Sequence, residues 1–272
     1  MESSYAWLSL AERTCAVSGA GSGMGRQLAR EAARAGARVA MLDRNPGRIA
    51  AYARELRSEG LVAAGIVCDV SDAESVERAA HQAEAELGPC DALVNCAGVM
   101  RPAALSSLDL SDWNQVLATN LTGYLNTSRA FARQMMTQGE GTMVHVASVA
   151  SWFPQSSSGA YSASKAAVRL LSQQLALEWA DHSIRSNTVS PGMIRTKLTE
   201  SFYQHPGVEE RRAAMTASRR VGKASDIADA ILFLLSPRSA YVNATDLLVD
   251  GGMTAMLMDG VPRPGFNEEG SA

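Results

Sequence analysis

Lysine is almost missing from this chain: three residues in 272, against 22 arginines. With a formal net charge of −3 there is no basic surplus or lysine-rich patch, which argues against nucleic acid as a partner. Aromatic residues make up only 6%, and the longest apolar runs, such as Ile231 to Leu235, fall far short of the roughly 20 residues a spanning helix needs. The stretch from Met1 to Arg13 has neither a positive start nor an apolar core of signal-peptide length. No membrane role is expected. The four cysteines (Cys15, Cys68, Cys90, Cys96) contain no C-x-x-C pair and sit mostly in apolar surroundings. They read as reduced, buried residues of a cytoplasmic protein. Four histidines form no H-E-x-x-H or related cluster, so no metal site is expected. His145 reads as a strand residue rather than a catalyst.

What is present is an alternation. Short apolar runs at 14–18, 38–43, 61–68, 92–95, 142–147, 185–189 and 247–249 are separated by stretches of helical period. The helical stretches span 25–35, 48–59, 73–87, 111–138, 159–180 and 225–235. Strand and helix in steady alternation give parallel strands with right-handed crossovers. The strands look apolar on both faces, as a doubly covered sheet requires. The expected fold is therefore an α/β doubly wound parallel sheet of Rossmann type, about seven strands with helices on both faces. No linker divides the chain, so residues 1–272 are expected to form one dinucleotide-binding catalytic domain. The charged segment 196–220 is too long for a simple connection and reads as a substrate-loop excursion. The tail, 260–272, is rich in Pro and Gly and is expected to be irregular.

One of the few lysines, Lys165, lies four residues after Tyr161, so the two share a helix face. A free phenol titrates near ~10, and a fixed cation nearby favours the phenolate. Such a pair can take a proton from an alcohol or return one to a carbonyl. Near the N-terminus the first strand runs into Gly19, Ala20, Gly21, Ser22, Gly23, Met24 and Gly25, where a helix opens. Glycines there let a pyrophosphate approach free N–H groups at the helix start. The second strand ends at Asp43, whose carboxylate can accept ribose hydroxyls and would repel a 2′-phosphate. Arg44 beside it could instead bind such a phosphate. With Asp43 in place, NAD is favoured over NADP.

These motifs resemble the short-chain dehydrogenase/reductase family from Arg13 to about Thr254. Its T-G-x-x-x-G-x-G is matched by Ser18, Gly19, Gly23 and Gly25, with a serine for the threonine. Asp69-Val70 resembles the pair after the third strand, and Asn95-Cys96-Ala97-Gly98 the N-N-A-G motif with cysteine in second place. Asn120, Ser148, Tyr161 and Lys165 fall at the positions of the family's catalytic residues. Pro191, Gly192, Met193, Ile194, Arg195 and Thr196 match P-G-x-[IV]-x-T. Leu248 to Gly252 resembles the last strand and its turn, with Ala244 replacing a glycine just upstream.

The resemblance implies a division of labour. Tyr161 is the general acid or base, and Lys165 holds the nicotinamide ribose and lowers the Tyr161 pKa. Ser148 stabilises the substrate oxygen, and Asn120 fixes a water that links Lys165 to solvent. Gly19, Ser22, Gly23, Met24, Gly25, Asp43, Arg44, Asp69, Val70, Asn95, Ala97, Gly98, Pro191, Gly192, Ile194 and Thr196 contact the cofactor, with Tyr161 and Lys165. Position makes Ala150, Trp152, Gln155 and Met193 substrate contacts beside Ser148 and Tyr161, with Met100 and Phe153 as further candidates. Most are apolar, which suggests a small to medium hydrophobic or cyclic secondary alcohol. The charged residues Arg211, Arg212, Arg219 and Arg220 read as a solvated face. The expected activity is an NAD-dependent alcohol dehydrogenase or ketone reductase. The alternatives are an NADPH-dependent 3-oxoacyl-thioester reductase and a non-catalytic nucleotide sensor or scaffold. Family members commonly form tetramers, so a homotetramer is expected.

Overall fold

A computed structural model of the chain describes residues 5–197 and 199–263. The elements follow one another as β1 (Thr14–Ser18), α1 (Gly23–Arg34), β2 (Arg38–Asp43), α2 (Pro46–Ser58), β3 (Ala63–Val67), α3 (Ala73–Leu87) and β4 (Ala92–Asn95). Then come α4 (Leu110–Leu117), α5 (Gly123–Gln138), β5 (Gly141–Val146), α6 (Tyr161–Glu178), β6 (Ile184–Pro191), β7 (Ile194–Arg195), α7 (Val208–Ala214), β8 (Gly222–Lys223), α8 (Ala224–Leu235) and β9 (Asp246–Val249). Seven strands form one parallel sheet in the order β3-β2-β1-β4-β5-β6-β9. The order reverses direction between β1 and β4. In a doubly wound sheet the crevice beyond the carboxyl ends of those two strands is where ligands bind.

Side-chain alternation explains how one sheet serves two cores. Val17, Met41, Val94 and Val144 face one side, packed with α1, α2 and α8. Their neighbours Ala16, Leu42, Leu93 and Met143 face the other, against α3 and α5. Both sets are fully buried, so each strand reads as a continuous apolar run. Tyr124, Ala147 and Val168 seat α6 beside α5.

Two expectations change. The helix expected over 111–138 is two helices, because Ala118–Thr122 opens into a single π turn that carries the fully buried Asn120. A π turn re-aims one side chain inside an otherwise regular helix, and hydrophobic periodicity does not register it. The excursion 196–220 is not structureless. A short 3-10 segment (Glu200–Gln204) and α7 fill it, and the two-stranded β7–β8 ribbon closes its base. Arg195 binds Glu200 through Nη2 at 2.8 Å and Glu209 through Nη1 at 2.9 Å, tying the ribbon to both segments. Two of its arginines hold partners within the chain: Arg212 stacks on Phe202, and the exposed Arg220 grips Asp226 through two bonds of 2.6 and 2.9 Å. Finally, of the tail expected to be irregular, Gly260 to Arg263 form no helix or strand, and 264–272 lie outside the described residues.

His145 sits in β5 as a wholly buried ring. Asn95 uses Oδ1 to accept from Thr127 (2.6 Å), which turns its Nδ2 toward His145 Nδ1 (3.1 Å). The ring's Nε2–H is then left to donate to Ser186 Oγ (3.1 Å). Burial, helped by the Lys165 charge, pushes the ring's pKa down to about 3 from 6.5. Below pH 6.5 the unfolded chain takes up a proton that the folded chain refuses, so stability falls with pH from 6.5 towards 3. One proton contributes about 1.4 kcal/mol per pH unit, or about 2 kcal/mol on acidifying to about pH 5. Urea unfolding of a His145→Gln variant should show a shallower acid slope by that amount. An unchanged slope would refute this role.

Candidate active site

The turn after β1 leads directly into α1. Ser22 occupies the N-cap position yet makes no capping bond, so it does not cover the N–H groups of the first turn. Gly23 takes φ +56°, and the nearest atom to a side chain there would be Thr196 Cβ at 3.8 Å. The space beside it is open to a ligand. Gly25 differs, because a Cβ there would stand 2.5 Å from the Gly19 carbonyl oxygen. It lets helix and turn touch.

A cavity runs along the ends of β1, β2 and β4. Gly19, Ser22, Gly23, Met24, Gly25, Asp43, Arg44, Asp69, Val70, Ala97, Gly98 and Thr196 all line it. Arg48, Cys96, Thr119 and Lys197 line it too and were not anticipated. Arg48 lies in the first turn of α2, where the sequence shows only a solvated helix start. Asp43 accepts the Gly21 N–H through Oδ2 (3.0 Å) and the Asn45 N–H through Oδ1 (2.9 Å). Its carboxylate thus braces the glycine turn from the end of β2. Donors at a helix start, a cavity-facing glycine and a carboxylate at the second strand's end suit a dinucleotide, so the residues present fit a nicotinamide cofactor.

Asn95 turns its side chain into the sheet. Its side chain is wholly buried, with Oδ1 taken by Thr127 and Nδ2 shared among the Tyr124 carbonyl, Ser128 and His145. It fastens β4 to α5 and β5 and does not line the cavity. The 191–196 segment is divided as well. Thr196 faces the dinucleotide cavity, whereas Met193 and Ile194 line a second one with Gly222 and the Leu248–Gly252 turn. Pro191 ends β6, and Gly192 abuts the Asp250 backbone.

At the end of β5 the remaining groups converge. Ser148 caps a short 3-10 turn, accepting the Ala150 N–H at 3.1 Å. Tyr161 is the first residue of α6. Lys165, one turn on, is buried, and its Nζ donates to the Val146 carbonyl (2.7 Å) and to the Tyr124 hydroxyl (3.2 Å). Nζ lies 5.9 Å from the Tyr161 ring centroid. Asn120 is locked to Val99 in both directions, accepting its N–H at 2.8 Å and donating to its carbonyl at 3.0 Å, and also donates to Ser164 Oγ (3.2 Å). Gly98 brings these together. A Cβ there would lie 3.5 Å from Asn120 Oδ1 and 3.8 Å from Lys165 Nζ, so the cavity wall and the lysine are one layer apart.

Opposing influences set the Tyr161 pKa. Burial raises it above the ordinary phenol value, the nearby Ser148 hydroxyl draws it back, and the Cys96 thiol adds an upward push. The Lys165 ammonium, 5.9 Å from the ring centroid, is held by Val146 and Tyr124. Burial pushes Lys165 itself down to about 8. One correction concerns Trp152. Its indole Nε1–H donates to Asp246, and the Arg169 guanidinium covers its ring at 3.2 Å. It faces β9, not the cavity. Ala150 is buried in the turn after Ser148, and Gln155 is exposed, its backbone N–H bonded to Ser162 Oγ at 3.2 Å.

Residues 19–254 match the family model described as enoyl-(acyl carrier protein) reductase. The chain is 42% identical over 242 residues to galactitol 2-dehydrogenase (L-tagatose-forming) of Cereibacter sphaeroides, covering 88% of this chain and 94% of that one. It belongs to the short-chain dehydrogenase/reductase family. D-threitol dehydrogenase of Mycolicibacterium smegmatis, another relative, is 37% identical over 242 residues, 89% of this chain and 93% of the other. Among solved structures, a gluconate 5-dehydrogenase from Burkholderia cenocepacia J2315 in complex with NADP and tartrate superimposes with a TM-score of 0.88. It shares 34% identity and covers 92% of this chain and 98% of its own. Family membership makes the chain an oxidoreductase of the nicotinamide-dependent kind, related to dehydrogenases of alcohols and polyols. Among the described residues, no helix is long and apolar enough to cross a membrane, and no group of three or more side chains could hold a metal ion.

Proposed function

We propose that the chain interconverts a secondary alcohol and a ketone with NAD, using Tyr161 as the proton-transferring group. The observation that carries this reading is the convergence of Ser148, Tyr161 and Lys165 at the end of β5, one glycine away from the cavity. The glycine turn, Asp43 and Asp69 would hold NAD, which would supply the hydride acceptor. The chain's own residues handle the proton and the substrate oxygen. Tyr161 in its phenolate form removes the alcohol proton, and Ser148 steadies the charge on that oxygen. Lys165, held by Val146 and Tyr124, places a positive charge behind the site at neutral pH and loses it as the pH passes about 8, and Asn120 shapes the π turn beside it. Because burial holds the phenol's pKa up, oxidation is expected to speed up as pH rises above neutral.

Trp152 has left the expected apolar wall, which weakens the case for a hydrophobic alcohol. The galactitol and threitol relatives support a polyhydroxylated substrate, so polyols head the assay panel. Reduction of a 3-oxoacyl thioester with NADPH is the second reading, favoured by Arg44 and Arg48 lining the same cavity as Asp43. The test of both is NADH or NADPH formation over polyols, cyclic diols and 3-hydroxyacyl thioesters. Turnover confined to thioesters with NADP would overturn the first reading.

Asp43 is expected to set the cofactor preference. Asp43→Ala should weaken both dinucleotides, because the glycine turn loses its brace, and should weaken NAD more than NADP. Dissociation constants for both, measured by fluorescence titration, give the ratio. A ratio unchanged from wild type would contradict the NAD assignment. Folding of 1–272 as one catalytic domain, a cytoplasmic setting and a homotetramer belong to the same proposal. The four free cysteines support the setting, and the exposed Leu170 and Leu177 on α6 with Leu247 and Leu248 on the edge strand β9 support assembly.

A further inference from the structure

Ser148 follows directly on the sheet, where the Ala147 N–H donates to the Val189 carbonyl of β6 at 2.8 Å. The turn after it closes on itself through Ser151 N–H to the Ser148 carbonyl (2.9 Å) and Trp152 N–H to the Val149 carbonyl (3.0 Å), and packs on α6. Trp152 and Arg169 add side-chain contacts that lock this packing. Arg169 extends from α6, the helix that begins at Tyr161, and donates Nη1–H to the Ser151 carbonyl at 3.3 Å. Its guanidinium lies flat on the Trp152 indole, 3.2 Å from the ring centroid. Behind both is Asp246 of β9, whose side chain is only 4% exposed. It accepts the Trp152 indole N–H and faces Arg169 Nε at 3.5 Å. The carboxylate is itself pinned to β6 by Thr188 Oγ1 at 2.6 Å and Ser190 Oγ at 2.8 and 2.9 Å. A nearly buried carboxylate persists only when charge and hydrogen bonds compensate it, and here they do so from three directions.

We propose that Trp152, Arg169 and Asp246 form a clamp that sets the position of Ser148 relative to Tyr161. They are positioning residues: none lines the dinucleotide cavity. The clamp joins the Ser148 turn, the Tyr161 helix and strands β6 and β9, so loosening it lets the serine hydroxyl drift from the phenol. The proposal rests on reading Ser148 and Tyr161 as the reacting pair. Its consequence is chemical as well as steric, since Ser148 is the group that draws the Tyr161 pKa down. The other groups that face the phenol, Lys165 on α6, Cys96 after β4 and Tyr124 on α5, are untouched by changes in the clamp.

The test needs no substrate. Tyrosinate absorbance is titrated in the full-length protein, and the difference between each protein and its Tyr161→Phe counterpart isolates the Tyr161 ionisation. Arg169→Met is expected to raise the Tyr161 pKa towards that of Ser148→Ala, and Arg169→Met added to Ser148→Ala to raise it no further. Trp152→Phe, which keeps the stacked ring and loses the N–H, should give a smaller shift of the same sign. It carries the test if Arg169→Met does not fold. A Tyr161 pKa equal to wild type in a folded clamp variant, or a full additional shift in the double variant, overturns the clamp. Turnover on the polyol panel then separates the layers. A clamp that positions Ser148 lowers kcat by about tenfold to a hundredfold with dinucleotide affinity unchanged. Undiminished kcat alongside a shifted pKa would overturn the reacting-pair reading instead.

Discussion

Tyr161→Phe abolishes alcohol oxidation while the protein still binds NADH with nearly wild-type affinity: that is the expected result with the largest effect on rate. The substitution removes one oxygen from a half-buried side chain at the start of α6 and leaves the ring in place. Volume hardly changes, so the fold should tolerate it. What disappears is the hydroxyl of the phenol that Ser148 and Lys165 flank. The neighbouring phenol, Tyr124, cannot substitute, because it is wholly buried, donates to the Val146 carbonyl at 3.2 Å and has its pKa driven far up by burial. Positioned acid–base catalysis contributes about 10²- to 10⁴-fold, and the rate should fall by that factor. Steady-state NADH formation and a separate NADH titration measure the two halves. A variant keeping more than about a tenth of the wild-type rate would remove Tyr161 from this role.

The second large effect concerns Gly25. Alanine there would place its Cβ 2.5 Å from the Gly19 carbonyl oxygen and 2.9 Å from its carbon, both backbone atoms that no rotamer change can move. Helix α1 must therefore lift from the turn. Overpacking of this kind costs about 1–3 kcal/mol, and here it also withdraws the helix start from the cavity. The expected outcome for Gly25→Ala is a lower melting temperature together with dinucleotide affinity reduced by about tenfold or more. Gly23→Ala is the control. Its Cβ would meet only Thr196 at 3.8 Å, so it pays the smaller cost of a left-handed alanine, about 1–2 kcal/mol, and presses on the ligand rather than the fold. If Gly25→Ala binds NADH as wild type does, the contact of turn and helix is not what builds the site.

Much of this molecule was legible before any coordinate was placed. The edges of β1, β2, α3 and β4 fall at the residues where apolar runs and turn residues predict them. Local chemistry decides those edges: Asn45 and Asp72 cap α2 and α3 through their own side chains, and each strand's alternation is carried by adjacent residues. The Tyr161–Lys165 pair and the glycine turn were legible for the same reason, since each is a spacing of a few residues along one element.

Other features depend on partners distant in sequence. Trp152 is an aromatic residue just after Ser148, and nothing local distinguishes a substrate wall from a clamp. Asp246, 94 residues away, decides it. Asn95 belongs to the N-N-A-G resemblance, yet Thr127, Ser128 and His145 close around it and turn it into a fastening of the sheet. The π turn between α4 and α5 carries Asn120 onto Val99 and Ser164, partners 21 and 44 residues away in sequence. The Tyr161 pKa goes up because the fold buries the phenol, and the Ser148 hydroxyl draws it only part of the way back. The sequence by itself determined which residues form strands, helices and the glycine turn, because those follow from interactions within a few residues. Only the tertiary structure decided which way side chains face and which charges are felt, because direction and desolvation are set by atoms that the chain brings back from far away.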